Sequence, residues 1–403
     1  MRFALNFMKI LLIIIDGLAD EPIPELNGKT PLEAAKTPHL DFLATRGKLG
    51  QVIVFKKKEG EPTSENSHLA LFGYDPEKYA IGRGEFEVLA SGLEVGPEDI
   101  CLRGNFATLN NQGIITDRRA GRIQKTEALI KAISGIEIEG VKFLVSQSIG
   151  YRLGIVIKGQ GLSPRVSDSD PHKTGVFPEQ VFPLEKTEAA EFTSRILNKF
   201  LDECQRRLEN HPLNKKRAIP ANIILVRGAS QVAVLPSFSE KYQLKAACIA
   251  GGPVYKAIGK LLGMDLINVK GANGLPNTNL RGKVIAAKQC LGRYDFVFCH
   301  FKAADSFAED GDFLGKKRFI EKIDQNLRFL LKSRDFLLVI TGDHATCSKL
   351  KRHCDLDTPI LICALPAKKI KEETLVKFSE KGCQKGELGI FPQIETMGKI
   401  LNN

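Results

Sequence analysis

The chain has no CxxC pair, no apolar run long enough to cross a bilayer, no internal repeat and no long low-complexity segment. Each absence removes a class of protein. Nine cysteines are present: Cys101, Cys204, Cys248, Cys290, Cys299, Cys347, Cys354, Cys363 and Cys383. Their odd number, their scatter and the apolar runs around several of them predict reduced thiols in a cytoplasmic setting, not a disulfide framework. Arg2 and Lys9 ahead of an apolar run imitate a secretory signal. That run is too short to span a membrane, ends in Asp16 and offers no A-x-A-like cleavage site. It reads as a core strand, with Met1 to Met8 as a short extension or alternative start. The formal charge of +11 comes with no nucleic-acid recognition motif, and the basic clusters Lys56-Lys57-Lys58, Lys215-Lys216-Arg217 and Lys316-Lys317-Arg318 are scattered. They read as solvated surface, and a small anionic substrate explains a basic excess as well as DNA does. Neither nucleic acid nor membrane is an expected partner, and oligomeric state is not legible.

What is present is ordinary for a folded α/β protein: 403 residues, 43% hydrophobic and 26% charged. Lys9 to Ile15, Gly50 to Phe55, Asn222 to Val226, Leu244 to Ala250, Tyr294 to His300, Phe336 to Ile340 and Pro359 to Cys363 are apolar runs of strand length. Helical stretches separate many of them, such as Thr37 to Gly47, opened by Thr37-Pro38, and Lys317 to Ser333. This alternation predicts a mostly parallel sheet with helices on both faces. The middle of the chain reads differently. Asp99 to Asp117 has the pattern of a hairpin turning at Asn110 to Gly113, Lys142 to Val145 and Tyr151 to Ile157 are further strands, and a polar helix follows from Leu184 to Glu209. The expected organisation is a catalytic domain over 1–85 and 190–403 with a smaller α+β domain, 86–189, inserted, its boundaries good to about twenty residues.

The chemistry concentrates where strands end. Thr341-Gly342-Asp343-His344 follows one strand and Asp16-Gly17 another. A hard oxygen beside an imidazole nitrogen at a strand exit suits a divalent metal. Ser64, in the stretch Gly60 to Leu69, lacks a G-x-S-x-G elbow or Ser-His-Asp surroundings, so it is either a helix cap or a nucleophile activated by a metal. Asp305 and Glu309 are four apart and face one side of a helical turn, where they either hold a cation or are solvated. His353, nine residues after His344, is either structural or a ligand. Asp117-Arg118-Arg119-Ala120-Gly121-Arg122 and Ser167-Asp168-Ser169-Asp170-Pro171-His172 are rich in groups that clamp carboxylate or phosphate, and equally read as surface salt-bridge patches.

Taken together, these segments resemble the archaeal-type, cofactor-independent phosphoglycerate mutases of the alkaline phosphatase superfamily. The resemblance covers nearly the whole chain, through Leu11 to Gly17, Gly28 to Ala35, Phe72 to Pro76, Gly82-Arg83-Gly84, Asn105 to Thr108, Asp117 to Arg122, Ser167 to His172, Leu225 to Ala229 and Thr341 to His344. It implies an alkaline-phosphatase-like sheet and two divalent ions, manganese first, with cobalt, zinc or magnesium as alternatives, and no bisphosphoglycerate. It implies Asp16, Ser64, Asp343 and His344 on one ion, with Asp305, Glu309 and His353 on the other. Ser64 would take the phosphoryl group of 3-phosphoglycerate and return it to give 2-phosphoglycerate. Arg118, Arg119, Arg122, Asp168, Asp170, His172, Lys302 and His68 would contact the substrate. Two departures stand out: Asp305 to Glu309 occupies the place of Asp-x-x-x-His, and Thr63-Ser64-Glu65-Asn66-Ser67-His68 that of Gly-Ser-Asp-Thr-Ala-His. The alternatives are a phosphatase or homoserine kinase-like phosphotransferase with the same chemistry, or a silent binder of a phosphorylated metabolite.

Overall fold

The computed structural model describes residues 9–56, 61–79, 81–333, 335–366 and 376–403. The expected extension Met1 to Met8, Lys57, Lys58 and Gly60 lie outside the described residues. The chain divides into two compact units, Met1–Lys78 with Pro236–Asn403, and Tyr79–Leu235. Sixteen strands, numbered in chain order, lie among the described residues.

The first unit contributes β1 (Lys9–Ile15), β2 (Lys48–Ile53), β9 (Ala246–Ile249), β10 (Asp265–Leu266), β11 (Phe296–Phe301), β12 (Phe336–Thr341), β15 (Thr358–Leu365) and β16 (Gly389–Pro392) to one sheet. Their order is β10-β9-β11-β1-β12-β15-β2-β16. All neighbours are parallel except β15, which runs antiparallel to both β12 and β2. The mostly parallel sheet expected from the strand-helix rhythm is therefore present. Its central strands are apolar throughout because both faces are covered. Leu11, Ile13, Ile15, Val297, Cys299, Phe301, Leu338 and Ile340 pack on one face against helices Pro38–Ala44, Leu280–Cys290 and Phe313–Leu331. The alternate residues of β11 enter an aromatic layer on the other face, where Phe298 meets Phe72 at 5.1 Å and Phe296 meets Phe238 at 4.6 Å between ring centroids. A short hairpin of β13 (Ala345–Cys347) and β14 (Arg352–Cys354) follows β12.

The second unit holds β3 (Ile100–Leu109), β4 (Ile115–Asp117), β5 (Glu137–Ile138), β6 (Val141–Ile149), β7 (Arg152–Lys158) and β8 (Ile223–Gln231). They form an antiparallel sheet in the order β4-β3-β7-β6-β5, with β8 on β3. The sequence-based division at 189/190 assigns the helix Glu188–Glu209 and β8 to the catalytic domain, whereas they belong to this unit. The reason is pairing and burial. β8 hydrogen-bonds along β3, and Ile196, Leu197 and Phe200 of the helix pack into the same core as Ile224 and Val226, with Phe200 stacked on Phe143 at 4.0 Å. An apolar run does not state which sheet it joins.

The opposite face of this sheet carries the helix Arg83–Ala90, whose Glu85 is wholly buried. Both carboxylate oxygens of Glu85 face the Ala233 N–H, at 3.2 and 3.1 Å. Burial outweighs that hydrogen bond and pushes the Glu85 carboxyl up from 4.5 to about 7. A carboxyl raised on folding favours the folded state while protonated, so stability falls as pH rises from about 4.5 to 7 and stays lower above. Glu85→Gln is expected to leave stability near pH 4 almost unchanged and to raise it above pH 7 by about 3 kcal/mol. Circular-dichroism melts of both proteins across that range check this; a constant difference at every pH would contradict it.

Candidate metal centre

β11, β1 and β12 are neighbours and parallel, so their carboxyl ends open on one edge of the sheet. Parallel sheets build their sites at that edge. Asp16 follows β1 directly, Asp343 comes two residues after β12, and Asp305 lies in the first turn of the helix Ala303–Glu309 that follows β11. All three carboxylates are buried, as is His344. The hairpin β13–β14 sets Thr346 opposite His353 and lays the His353 ring 3.8 Å from that of His344.

The resulting distances are short. His344 Nε2 lies 3.2 Å from Asp343 Oδ2, 3.5 Å from Asp16 Oδ1 and 3.0 Å from Ser64 Oγ. His353 Nε2 lies 3.5 Å from Asp305 Oδ1. Two sets of three ligand atoms that share His344 each close to within 4.8 Å: Asp16 with Asp343 and His344, and Asp305 with His344 and His353. Asp16 Oδ1 and Asp343 Oδ2 are buried without a hydrogen-bond partner, as ligand oxygens awaiting a cation would be. The donor set suits divalent ions.

Lys302 is the cation built into this cluster, 2.6 Å from Asp305 Oδ2 and 3.5 Å from Asp16 Oδ2. Burial opposes ionisation of Asp16, but Lys302, helped by His300 and His344, holds its carboxyl well below the usual range. Burial and the Asp16 charge push Asp343 well above it. Burial brings His344 down to about 4, leaving its imidazole neutral and free to ligate at pH 7. His353 goes the other way: its bond to Asp305 overcomes burial and raises it to about 9.

Second contacts orient these groups. The Gly17 N–H donates to Asp343 Oδ1 at 3.1 Å from a backbone with φ +63°. A Cβ there would meet Thr346 Oγ1 at 2.6 Å and Asp305 Cα at 2.9 Å, so only glycine fits. The Thr346 hydroxyl donates to Asp305 Oδ1 at 2.6 Å and sits 3.3 Å from His344 Nδ1. With its proton on Asp305, Thr346 Oγ accepts from His344 Nδ1–H, which leaves the Nε2 lone pair toward Ser64, Asp16 and Asp343. Lys316 Nζ, fully buried, donates to Asp20 Oδ2 at 2.9 Å, Ala19 O at 3.0 Å and Thr346 O at 2.9 Å. Its expected place in a solvated basic cluster is thus corrected: a buried carboxylate and two carbonyls draw it inside.

Ser64 is the first residue of the helix Ser64–Leu71, and the cap is Thr63, whose hydroxyl accepts from the Asn66 N–H. Ser64 is therefore released from capping. Glu309, one turn after Asp305, is exposed at the end of its helix; partial desolvation first and Asp305 second push its carboxyl up. It is not among the three residues that close around Asp305, where His344 stands instead. His68, expected at the substrate, is wholly buried, its ring 5.7 Å from Phe298 and its Nδ1 3.4 Å from Asp343 Oδ2. Four residues after Ser64 is one helical turn, which carries it inward, not toward a ligand in solvent. The expectation that all nine cysteines are reduced is also corrected. Cys347 and Cys354 form a disulfide across the β13–β14 hairpin with a Cα separation of 5.8 Å, while the other seven are free and buried. Hairpin pairing, invisible in a spacing of seven, brings them together.

In the second unit Arg118 grips Asp170 with two bonds of 2.8 and 2.7 Å and donates to the His172 carbonyl at 3.0 Å. Asp168 accepts from the Gly228 N–H at 2.8 Å, and His172 Nε2 lies 3.8 Å from Asp168 Oδ2. Arg119 and Arg122 are exposed on the turn that Asp117 ties through the Arg119 and Gly121 N–H groups. Arg103 and Arg227 join this set unforeseen: the Nε of each is buried without a hydrogen bond, Arg103 Nε is 3.4 Å from Glu87 Oε2, and Arg227 Nη1 is 4.0 Å from Asp170 Oδ2. Their signal is an arginine inside an otherwise apolar strand, in Cys101 to Asn105 and Ile224 to Gly228.

Thr346→Val keeps shape and removes the hydroxyl that joins Asp305 to His344. Metal titration of the purified variant is expected to show about 10- to 100-fold weaker binding at the Asp305 position with the fold retained; unchanged affinity would remove Thr346 from the metal's support.

Residues 44–214 match the family model of 2,3-bisphosphoglycerate-independent phosphoglycerate mutase. The chain is 42% identical over 389 residues to 2,3-bisphosphoglycerate-independent phosphoglycerate mutase 1 of Methanocaldococcus jannaschii, covering 94% of this chain and 93% of that protein. It is 43% identical over 394 residues to its namesake in Archaeoglobus fulgidus, covering 94% of each. Among solved structures, the cofactor-independent phosphoglycerate mutase of Thermoplasma acidophilum superposes with a TM-score of 0.76 at 33% identity, over 98% of this chain and 99% of that one. The PH0037 protein of Pyrococcus horikoshii superposes at 0.82 with 31% identity, over 98% and 97%. With buried carboxylates and imidazoles around a freed serine, and relatives of this likeness over nearly its whole length, the chain belongs to the 2,3-bisphosphoglycerate-independent phosphoglycerate mutase family.

Proposed function

We propose that this protein is a metal-dependent phosphoglycerate mutase that interconverts 3-phosphoglycerate and 2-phosphoglycerate through a phosphoserine on Ser64, in the cytoplasm. The observation that carries the reading is Ser64 Oγ, 3.0 Å from the neutral His344 imidazole at the sheet edge where Asp16, Asp305 and Asp343 converge. Asp16, Ser64, Asp343 and His344 would hold one divalent ion, and Asp305 and His353 the other, with Glu309 one helical turn from Asp305 as a further oxygen donor. Such ions lower the pKa of a bound hydroxyl and offset the charge of a phosphoryl group in transfer. Manganese is the preferred occupant, because the set is rich in carboxylate oxygen.

The chain's own residues do the rest. Ser64 starts a helix, so the backbone N–H groups at its very start, ahead of the Asn66 N–H that Thr63 caps, are available to phosphoryl oxygens. The Ser64 oxygen bonds to phosphorus, giving up the hydroxyl proton, as the bond to the glyceryl oxygen breaks and that oxygen takes up a proton; in a second transfer the other hydroxyl of the glycerate loses its proton, attacks the phosphoserine and restores the serine hydroxyl. Lys302, held between Asp16 and Asp305, presents a permanent positive charge beside the transferring group. Arg118, set by Asp170, with Arg119, Arg122, Asp168 and His172, would bind the carboxylate and hydroxyl groups of the glycerate, and the half-buried Arg103 and Arg227 would extend that set.

Chelator-stripped protein assayed without bisphosphoglycerate is expected to convert 3-phosphoglycerate only when manganese is restored. Release of inorganic phosphate in place of the isomer would make it a phosphatase. Ser64→Ala should lose turnover by at least about 1000-fold while keeping its melting profile and at least one equivalent of metal; normal activity would remove Ser64 from the reaction. Glu309→His should be tolerated and raise zinc or cobalt affinity, since an imidazole nitrogen suits those ions better than a carboxylate. Unchanged metal binding in that variant would mean that Glu309 is not a ligand.

A further inference from the structure

Two buried histidines take no part in the proposed transfer. His300, at the end of β11, and His68, in the Ser64–Leu71 helix, both have zero exposure and lie 5.2 Å apart between ring centroids. One nitrogen of each and a carboxylate oxygen of Asp343 lie within 4.8 Å of one another. Three polar atoms there are sealed from solvent without a hydrogen-bond partner, His68 Nε2, His300 Nδ1 and Asp343 Oδ2, while His300 Nε2 faces Asp16 Oδ2 at 3.3 Å. Buried imidazoles in a packed core ordinarily find partners for both nitrogens. The His68 Nδ1–H instead donates to the Ser64 carbonyl at 2.7 Å, which fixes the ring and leaves Nε2 with an unused lone pair. An imidazole oriented by a backbone carbonyl on one nitrogen is how protein ligands to metals are set. Tyr255 closes the group from the side, stacked on His300 at 3.5 Å, its hydroxyl donating to Asp16.

We propose that His68, His300 and Asp343 form a third divalent-metal position, distinct from the two of the phosphoryl-transfer centre and bridged to the first through Asp343. The inference rests on the proposed function only in taking Asp343 as a ligand of the first ion. Two imidazoles and one carboxylate make this group as nitrogen-rich as that of Asp305, His344 and His353, and richer than that of Asp16, Asp343 and His344. It suits a borderline ion such as zinc or cobalt(II), where the more oxygen-rich first position accepts manganese. The occupant takes one nitrogen of each imidazole and Asp343 Oδ2, and by drawing on Asp343 it sets how much of that carboxylate remains for the first ion.

The test counts bound metal rather than turnover. Chelator-stripped protein is loaded with cobalt(II), freed of excess by gel filtration and measured by elemental analysis and by the visible d–d absorption of the ion. Wild type is expected to carry one equivalent more than either His300→Gln or His68→Gln, and the double variant should lose no more than each single one. Asp305→Asn should lose a different equivalent and keep the absorption that His300→Gln abolishes. The position is overturned if folded His300→Gln and His68→Gln carry as much cobalt as wild type. It is equally overturned if they bind the same number of ions only more weakly, which would make the histidines outer ligands of the first ion. Should either variant fail to fold, the wild-type count decides: two equivalents or fewer at saturating cobalt refutes a third position. A protein inactive on phosphoglycerate would still give this count, so the two readings fail separately.

Discussion

Three carboxylates held out of water within one small volume are the constraint on which the rest of this structure depends. Asp16, Asp305 and Asp343 arrive on or just after adjacent strands, and like charges so close in a medium of low permittivity repel strongly. Around them the chain supplies one ammonium, Lys302, a backbone donor at Gly17, and two hydroxyls, of Thr346 and Tyr255. The opposed directions in which Asp16 and Asp343 are driven express the same shortage of positive charge. A site of this kind is arranged for cations, and the packing around it keeps it from collapsing. Lys316, itself buried, ties the loop after Asp16 to the hairpin that carries His353.

Much of this was legible in the sequence because it follows from short-range pattern. A run such as Phe336 to Ile340 that is apolar at every position can only be a strand covered on both faces, and an acid at its end must meet whatever its neighbours deliver. The parallel sheet and the convergence of Asp16, Asp343 and His344 follow from that reasoning, and the family resemblance added Ser64, Asp305 and His353 to the same place. What failed depended on contacts between distant segments. Asn222 to Val226 reads as a strand of the large sheet, but its partner is β3, and nothing local distinguishes one sheet from another. Lys316 resembles its neighbours Lys317 and Arg318 until Asp20 is brought against it. His68 has the composition of a ligand contact, yet helical phase turns it inward. The disulfide needed a hairpin to close it.

The second unit shows another limit. Arg118 and Asp170 stand in polar stretches and announce themselves, whereas Arg103 and Arg227 are hidden inside strands. A cation inside an apolar strand is costly to bury, and burial brings the Arg103 guanidinium down to about 10. Such a residue is retained where an anion is expected beside it, which makes interruption of an apolar run as informative as the run itself.

The strand order also has a consequence for how the protein is made. In the described residues, both sheet strands of the first 78 residues pair only with strands of the last 110 or so: β1 with β11 and β12, β2 with β15 and β16. A ribosome therefore releases the aliphatic segment Leu11 to Ile15 long before anything exists to cover it. The unit Tyr79–Leu235, whose strands pair among themselves, is complete in the meantime. The nascent chain carries a finished insert and an exposed, adhesive first strand through most of its synthesis. Its yield in a cell is then set by chaperones and translation speed as much as by the stability of the finished fold.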